Sequence, residues 1–261
     1  MIVDEPDFTL RLAENDRDLR AAQRLRYQVF VEELGGTGAM VDRVNRLERD
    51  AFDPLFDHML LIDRRRDPAA LEDVVGVYRL LRSDRMAVGQ RFYSEDEYDL
   101  TPLRSSGRRL LELGRSCVHA QYRGGSAMFL LWNGLADYVL AHQIEIMFGV
   151  ASFHGTDIAA LAPALSYLHA HHLAPPALRV RARAAQLQRM DLVPADQLDR
   201  RAAMAATPAL IKAYLRLGGF IGEGAWIDHA FNTTDVCLIM DTARMSEKHR
   251  AFYLRKSARA P

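Results

Sequence analysis

The run Leu110-Leu111-Glu112-Leu113-Gly114-Arg115-Ser116-Cys117-Val118-His119 leads through Ala120 into Gln121-Tyr122-Arg123-Gly124-Gly125-Ser126, and then into an apolar stretch ending near His142. The first segment has the length and apolar content of a buried strand, and the last reads as a helix. Between them, small residues let a backbone approach a ligand closely, and the N–H groups of a helix start favour phosphate. The order predicts a phosphate-binding loop, although a Gly-Gly pair is also a common turn.

On either side the pattern predicts further elements. Residues 8–14 read as a short strand, and Asp16–Leu34 as a helix capped by Asn15 or Asp16. His58–Asp63, Val74–Leu81 and Ile144–Ser152 read as strands. Pro208–Leu217 reads as a helix, and Phe220–Asp228 with Thr233–Asp241 as a closing strand pair. Residues 157–206 read as helical, broken by Pro175, Pro176 and Pro194. This order is a mixed α/β domain of the α+β type, not a regular alternation. No repeat, low-complexity tract or linker is visible, so the simplest account is one domain over 1–261 with a helical insertion over about 157–206.

Composition narrows the function. Of 261 residues, 49% are apolar, enough for a substantial core, and 34 basic residues balance 34 acidic ones. That balance gives no sign of a nucleic-acid partner. Cys117 and Cys237 offer neither a disulfide framework nor metal-ligand spacing, so a reducing cytoplasm is expected. No stretch approaches the ~18–20 apolar residues of a membrane span, and the N-terminus does not read as a secretory signal. The tail over 244–261 carries Arg244, Lys248, Arg250, Arg255, Lys256 and Arg259 against Glu247. It reads as a solvated helix, or as a contact for an anionic membrane or an acidic carrier protein.

Several charges stand where apolar residues belong. Leu19, Ala22, Val29 and Phe30 outline the buried face of the first helix, and Arg26 falls within it. A buried arginine needs an anion, which Asp50 or Asp53 can supply. Arg79 lies inside the strand Val77-Tyr78-Arg79-Leu80-Leu81. Glu112 and Arg115 share a strand, on opposite faces unless a bulge at Gly114 brings them together. A structural ion pair and a functional cleft are both open readings of these charges.

Taken together, these segments resemble a known family. Gln121, Gly124 and Ser126 match the pyrophosphate loop of the GNAT superfamily, and Tyr214-Leu215-Arg216-Leu217-Gly218 resembles its Y-x-x-L-G segment, with Gly219 as an extra residue. Arg26-Tyr27-Gln28-Val29-Phe30, Asp50 with Asp53, Gly76 through Leu81 and Glu112 through Arg115 resemble the acyl-homoserine-lactone synthases. The likeness is closer to the ornithine acyl-carrier-protein N-acyltransferases of bacterial ornithine-lipid synthesis. It extends to Phe92-Tyr93-Ser94, Phe148 through Gly155, Ser166-Tyr167-Leu168 and Tyr214 through Asp235. Where the lactone synthases usually carry a tryptophan, this chain has Leu34-Gly35-Gly36, and they lack the insertion after the Phe148–Ser152 strand.

The resemblance implies a GNAT fold, with a mostly antiparallel twisted sheet flanked by helices, and transfer of a fatty acyl group from acyl carrier protein to the α-amino group of L-ornithine. It implies Glu112 as the base, Tyr214 as the acid for the departing thiolate and a backbone N–H near Val118 for the oxyanion. Arg26, Phe30, Asp50, Asp53, Arg79 and Arg115 would bind the acceptor. Gln121, Arg123, Gly124, Gly125 and Ser126 would hold the donor's phosphopantetheine, with no separate cofactor and no metal. A cytoplasmic enzyme, peripheral at the inner membrane face, follows from a lipid product. The alternatives are a lactone synthase using S-adenosylmethionine, an acyltransferase for glycine, glutamine or lysine, and a non-catalytic carrier-binding module. Cys117 reads as core and His58 as a hydrogen-bonded structural residue. His169, His171 and His172 read as a helix C-terminus favoured by its dipole.

Overall fold

The computed structural model describes residues 3–5 and 7–244; the tail residues Lys248, Arg250, Arg255, Lys256 and Arg259, expected to contact a membrane or carrier protein, lie outside them. The chain runs β1 (Val3–Glu5), β2 (Phe8–Leu12), α1 (Asp16–Arg26), β3 (Val41–Asp42), β4 (Leu47–Glu48), β5 (Asp57–Asp63), β6 (Val74–Arg82), β7 (Tyr98–Asp99), α2 (Thr101–Arg104) and β8 (Leu110–Val118). It continues with α3 (Ala127–Ala141), β9 (Ile146–His154), α4 (Ile158–His172), β10 (Arg181–Ala182), β11 (Leu187–Gln188), α5 (Arg200–Ala206) and α6 (Ala209–Arg216). It closes with β12 (Phe220–Ile221), β13 (Ala225–Asp228) and β14 (Thr233–Asp241). These form two compact units among the described residues, 3–85 with 113–143, and 86–112 with 144–244. Among the same residues no helix is long and apolar enough to cross a membrane.

In the first unit β1, β2, β5 and β6 pair antiparallel in that order, with β8 beside β6. Asn15 caps α1 by accepting the Asp18 N–H at 2.9 Å. Ala21, Ala22 and Leu25 of α1 pack with Leu60, Ile62, Val74, Val77 and Cys117. Strand alternation turns the neighbours Met59 and Leu61 to the other face, where α3 lies. A Cβ added to Gly134 of α3 would sit 2.4 Å from Leu10 and 3.0 Å from Met59, so only glycine permits that approach.

The helix expected to reach Leu34 is α-helical only to Arg26, and Tyr27–Glu33 is a π-helical continuation. Residue types alone do not distinguish an i→i+5 turn from an i→i+4 one, and such turns gather at functional sites.

In the second unit Leu110–Glu112 of β8 pairs parallel with Ile146–Phe148 of β9. β9 pairs antiparallel with β14 from end to end, and β13 and then β11 extend that side. The 157–206 stretch is α-helical only at its two ends, α4 and α5; between them lie β10, β11 and single 3-10 turns at Pro176–Leu178 and Ala195–Gln197. Two-residue strands are too short to carry a periodicity. The Ser166 hydroxyl on α4 fastens this segment, donating to the Met190 carbonyl at 2.8 Å and accepting the Leu192 and Val193 N–H groups at 3.0 Å each. The strand expected over Phe220–Asp228 is split into β12 and β13. A Cβ on the intervening Gly222 would meet Val180 at 2.7 Å, and Gly224 adopts a left-handed φ of 79°.

Candidate active site

The charges that stood out in the sequence, Glu112 excepted, converge in the first unit. Arg26 is completely buried; it pairs through Nε with Glu48 and donates from Nη1 to Asp53 at 2.6 Å. Arg79, also buried, donates from Nη1 to both oxygens of Asp50 at 2.8 Å and to Asp53 at 2.9 Å, with its guanidinium 4.3 Å from the Phe56 ring centroid. Arg115 donates from Nε to Glu48 at 3.0 Å and lies 3.6 Å from Asp50. Gln23 adds a 2.9 Å hydrogen bond to Asp53. Three guanidiniums thus meet three carboxylates. Burial alone would raise the carboxyl pKa values. The charges of Arg26 and Arg79 outweigh it at Asp53, and those of Arg115 and Arg26 at Glu48, so both are held below the ordinary carboxylate range.

The expected irregularity in β8 is present one residue on from Gly114. Arg115 itself is left-handed, with φ 48°. For a non-glycine residue this conformation costs about 1–2 kcal/mol, so its surroundings must enforce it. Its guanidinium is held by the Nε bond to Glu48 and the ion pair with Asp50. Of the three arginines Arg115 is the least buried, its side chain 13% exposed against 0% and 1% for the other two.

In the second unit Glu112 is buried and accepts two backbone N–H groups, from Tyr93 at 2.9 Å and from Ser94 at 2.6 Å. It therefore caps the turn Tyr93–Asp96. The Phe92 ring beside that turn packs edge-on against Phe148 of β9 at 5.0 Å.

The Gln121–Ser126 loop precedes α3 as expected. Gly124 is left-handed, φ 79°, and a Cβ built there meets nothing within 4 Å. Conformation and open space, not crowding, make glycine suitable. Ser126 makes no side-chain cap, so the first N–H groups of α3 are not closed off by it. The loop is anchored around its edge. Tyr122 donates to Asp63 at 2.6 Å, and Arg123 donates to the Val118 carbonyl at 2.9 Å and to Glu33 at 2.6 Å.

Tyr214 lies buried on α6. Its carbonyl accepts the Gly219 N–H at 3.0 Å, and a Cβ on Gly219 would sit 2.8 Å from that oxygen. With Gly218 at φ 92°, the pair Gly218-Gly219 forms the helix stop, which explains the extra glycine. Cys117 is buried and its thiol is pushed up to about 12 by that burial, a poor state for a covalent acyl carrier. His58 is buried with Nε2 3.0 Å from the Asp53 carbonyl, and burial lowers its pKa. His169, His171 and His172 form the last turn of α4. Among the described residues no group of three His, Cys, Asp or Glu side chains is arranged to hold a metal ion.

Arg26, Asp50, Asp53, Arg79 and Arg115 are thus assembled into one cluster. Phe30 instead packs half-buried against the apolar residues of α1. Glu48 is the participant that sequence reasoning passed over. Its signal was the charge count, because three strand and helix arginines called for a third carboxylate beside Asp50 and Asp53.

Residues 25–133 match a family model described as an acetyltransferase (GNAT) domain. An N-acyl amino acid synthase from uncultured soil microbes superposes with a TM-score of 0.52 at 11% identity, covering 92% of this chain and 93% of that one, a likeness of fold. The L-ornithine N(alpha)-acyltransferase of Brucella abortus is 42% identical over 246 residues, covering 94% of this chain and 88% of its own. That of Rhodobacter capsulatus is 67% identical over 249 residues, covering 95% of each. With likeness of that extent, the chain belongs to the L-ornithine N(alpha)-acyltransferase family and is a GNAT-fold N-acyltransferase.

Proposed function

We propose that this enzyme transfers a fatty acyl group, with or without a 3-hydroxyl, from acyl carrier protein to the α-amino group of L-ornithine, giving lyso-ornithine lipid. The observation that carries the acceptor is the 67% identity to an L-ornithine N(alpha)-acyltransferase over 95% of both chains.

In the proposed reaction the free amine attacks the thioester carbon, the C–N bond forms and the C–S bond breaks. The amine must lose a proton first, since α-ammonium groups titrate near ~8. Glu112 takes that proton, directly or through a water. Its two amide bonds fix its position, and a carboxylate has about four acceptor sites, so they do not exhaust it. A backbone N–H near Val118 meets the oxyanion, and the Tyr214 hydroxyl returns a proton to the departing thiolate. Arg115, the least buried guanidinium, receives the acceptor's carboxylate, for which its planar fork is suited. Arg26 and Arg79 hold the carboxylates around it. Asp50, between Arg79 and Arg115, faces the side-chain ammonium of ornithine. The open Gly124 and the start of α3 hold the phosphate of the carrier's pantetheine arm.

The purified protein should acylate ornithine with 3-hydroxyacyl carrier protein, and acetyl-CoA should be the poorer donor. Product analysis with ornithine, lysine, glutamine, glycine and S-adenosylmethionine in parallel decides the acceptor. Equal turnover with acetyl-CoA overturns the lipid assignment, and a lactone product from S-adenosylmethionine overturns the acceptor. Carrier binding without any product leaves a binding module.

A further inference from the structure

Three arginines border the donor loop, and they are not equally committed. Arg65 is fixed on Asp63 through two bonds of 2.9 and 2.8 Å. Arg123 is fixed on Glu33 and the Val118 carbonyl at 2.6 and 2.9 Å. Arg66 makes two long contacts at 3.5 Å, to Gln121 and to Glu72, and also interacts with the Tyr122 side chain of the loop. Its Nε is buried with no hydrogen-bond partner, while its side chain as a whole is 20% exposed. Glu72 is half exposed, so that pairing is worth little.

A guanidinium has five donors and cannot shed its charge, so holding one partly desolvated with its Nε unpaired is unfavourable unless something else uses it. Its neighbours indicate where that use is. Arg66 reaches the first residue of the donor loop. After burial, its charge is the largest influence depressing the pKa of His119, at the start of that loop. The turn between β5 and β6 presents Arg66 there, with its N–H bonded to the Asp63 carbonyl at 3.1 Å, and Asp63 also anchors Tyr122 of the loop.

We infer that Arg66 is a further donor-binding residue, supplying a cationic side-chain contact to the phosphate that links the pantetheine arm to its carrier. This rests on the proposed reading of the Gln121–Ser126 loop. Backbone N–H groups of a helix start give direction and partial charge, and Arg66 adds the full charge they lack. On binding, its Nη groups exchange the long contacts to Gln121 and Glu72 for charge-assisted bonds to phosphate oxygens.

The test compares phosphopantetheine with pantetheine, which lacks only the phosphate, as inhibitors of wild type, Arg66→Ala and Arg66→Lys. Wild type should bind phosphopantetheine ~10–100-fold more tightly than pantetheine. In Arg66→Ala that preference should shrink about tenfold and the KM for acyl carrier protein should rise, with pantetheine affinity and the KM for ornithine unchanged. Arg66→Lys should recover part of the preference, because it restores the charge without the fork. An undiminished preference in either variant overturns the inference and leaves the loop reading standing. No preference in wild type overturns the loop reading itself. If Arg66→Ala does not fold, Arg66→Lys decides alone: a preference equal to wild type at every ionic strength overturns the assignment, and a reduced one supports it.

Discussion

Glu112 accepts the amide protons of Tyr93 and Ser94, so replacing its carboxylate alters a turn as well as a proposed base. Glutamine keeps one acceptor oxygen but brings an N–H₂ group toward a backbone N–H. Leaving that buried donor unsatisfied should cost about 1–3 kcal/mol of stability. As the base, Glu112→Gln should in addition lower kcat by ~10²–10⁴-fold, with partial recovery at high pH where more acceptor arrives deprotonated. A melting curve beside a pH–rate profile separates the two effects. A lowered melting temperature with normal turnover per folded molecule assigns Glu112 to the turn alone. Glu48 is positioned differently, between Arg26 and Arg115. It was hidden in the sequence because nothing local distinguishes it from any exposed glutamate.

The Gln121–Ser126 loop, the proposed donor loop, is an element whose glycine is required by conformation. A β-branched residue at Gly124 must give up the left-handed φ of 79°, although nothing within 4 Å would obstruct its Cβ. Gly124→Val should therefore fold, with a reshaped loop, and raise the KM for acyl carrier protein about tenfold or more while leaving that for ornithine unchanged. An unchanged donor KM in the folded variant makes the loop a simple turn. The strand–loop–helix order was legible because Gly-Gly follows an apolar run and precedes a helical one. The π-helical stretch Tyr27–Glu33 was not, since the same residue types serve an i→i+4 and an i→i+5 turn. Nor were β10 and β11, two residues each, whose partners β7 and β13 lie tens of positions away in the chain.

For the whole molecule, the buried charges make stability depend on pH in two stages. His58 has a folded pKa below its ordinary value because it is buried, so its contribution is present above about 6.5 and is lost as pH falls below that. Asp53 and Glu48 are also depressed. Their contribution is complete above the unfolded carboxylate values of about 4 and disappears as pH falls toward the folded ones. The melting temperature should decline gently below pH 6.5 and steeply below pH 4. Asp53→Asn should melt lower at pH 7, because Arg26 and Arg79 lose a shared partner, and should show a shallower acid limb. A melting temperature constant from pH 5 to pH 3 would mean that the cluster does not stabilise the fold.

Local pattern in the sequence determined the longer strands and helices, the loop between β8 and α3, and the demand of a buried Arg26 for an anion. Those are consequences of periodicity and desolvation, which act over a few neighbouring residues. The tertiary structure alone decided which anions answer. The partners of Arg26, Arg79 and Arg115 lie 22 to 67 positions away in the chain. Pairing over such separations is set by where α1, the β4–β5 segment, β6 and β8 meet. It also decided that Arg115, not Gly114, takes the left-handed conformation, because two carboxylates outside β8 hold its guanidinium there.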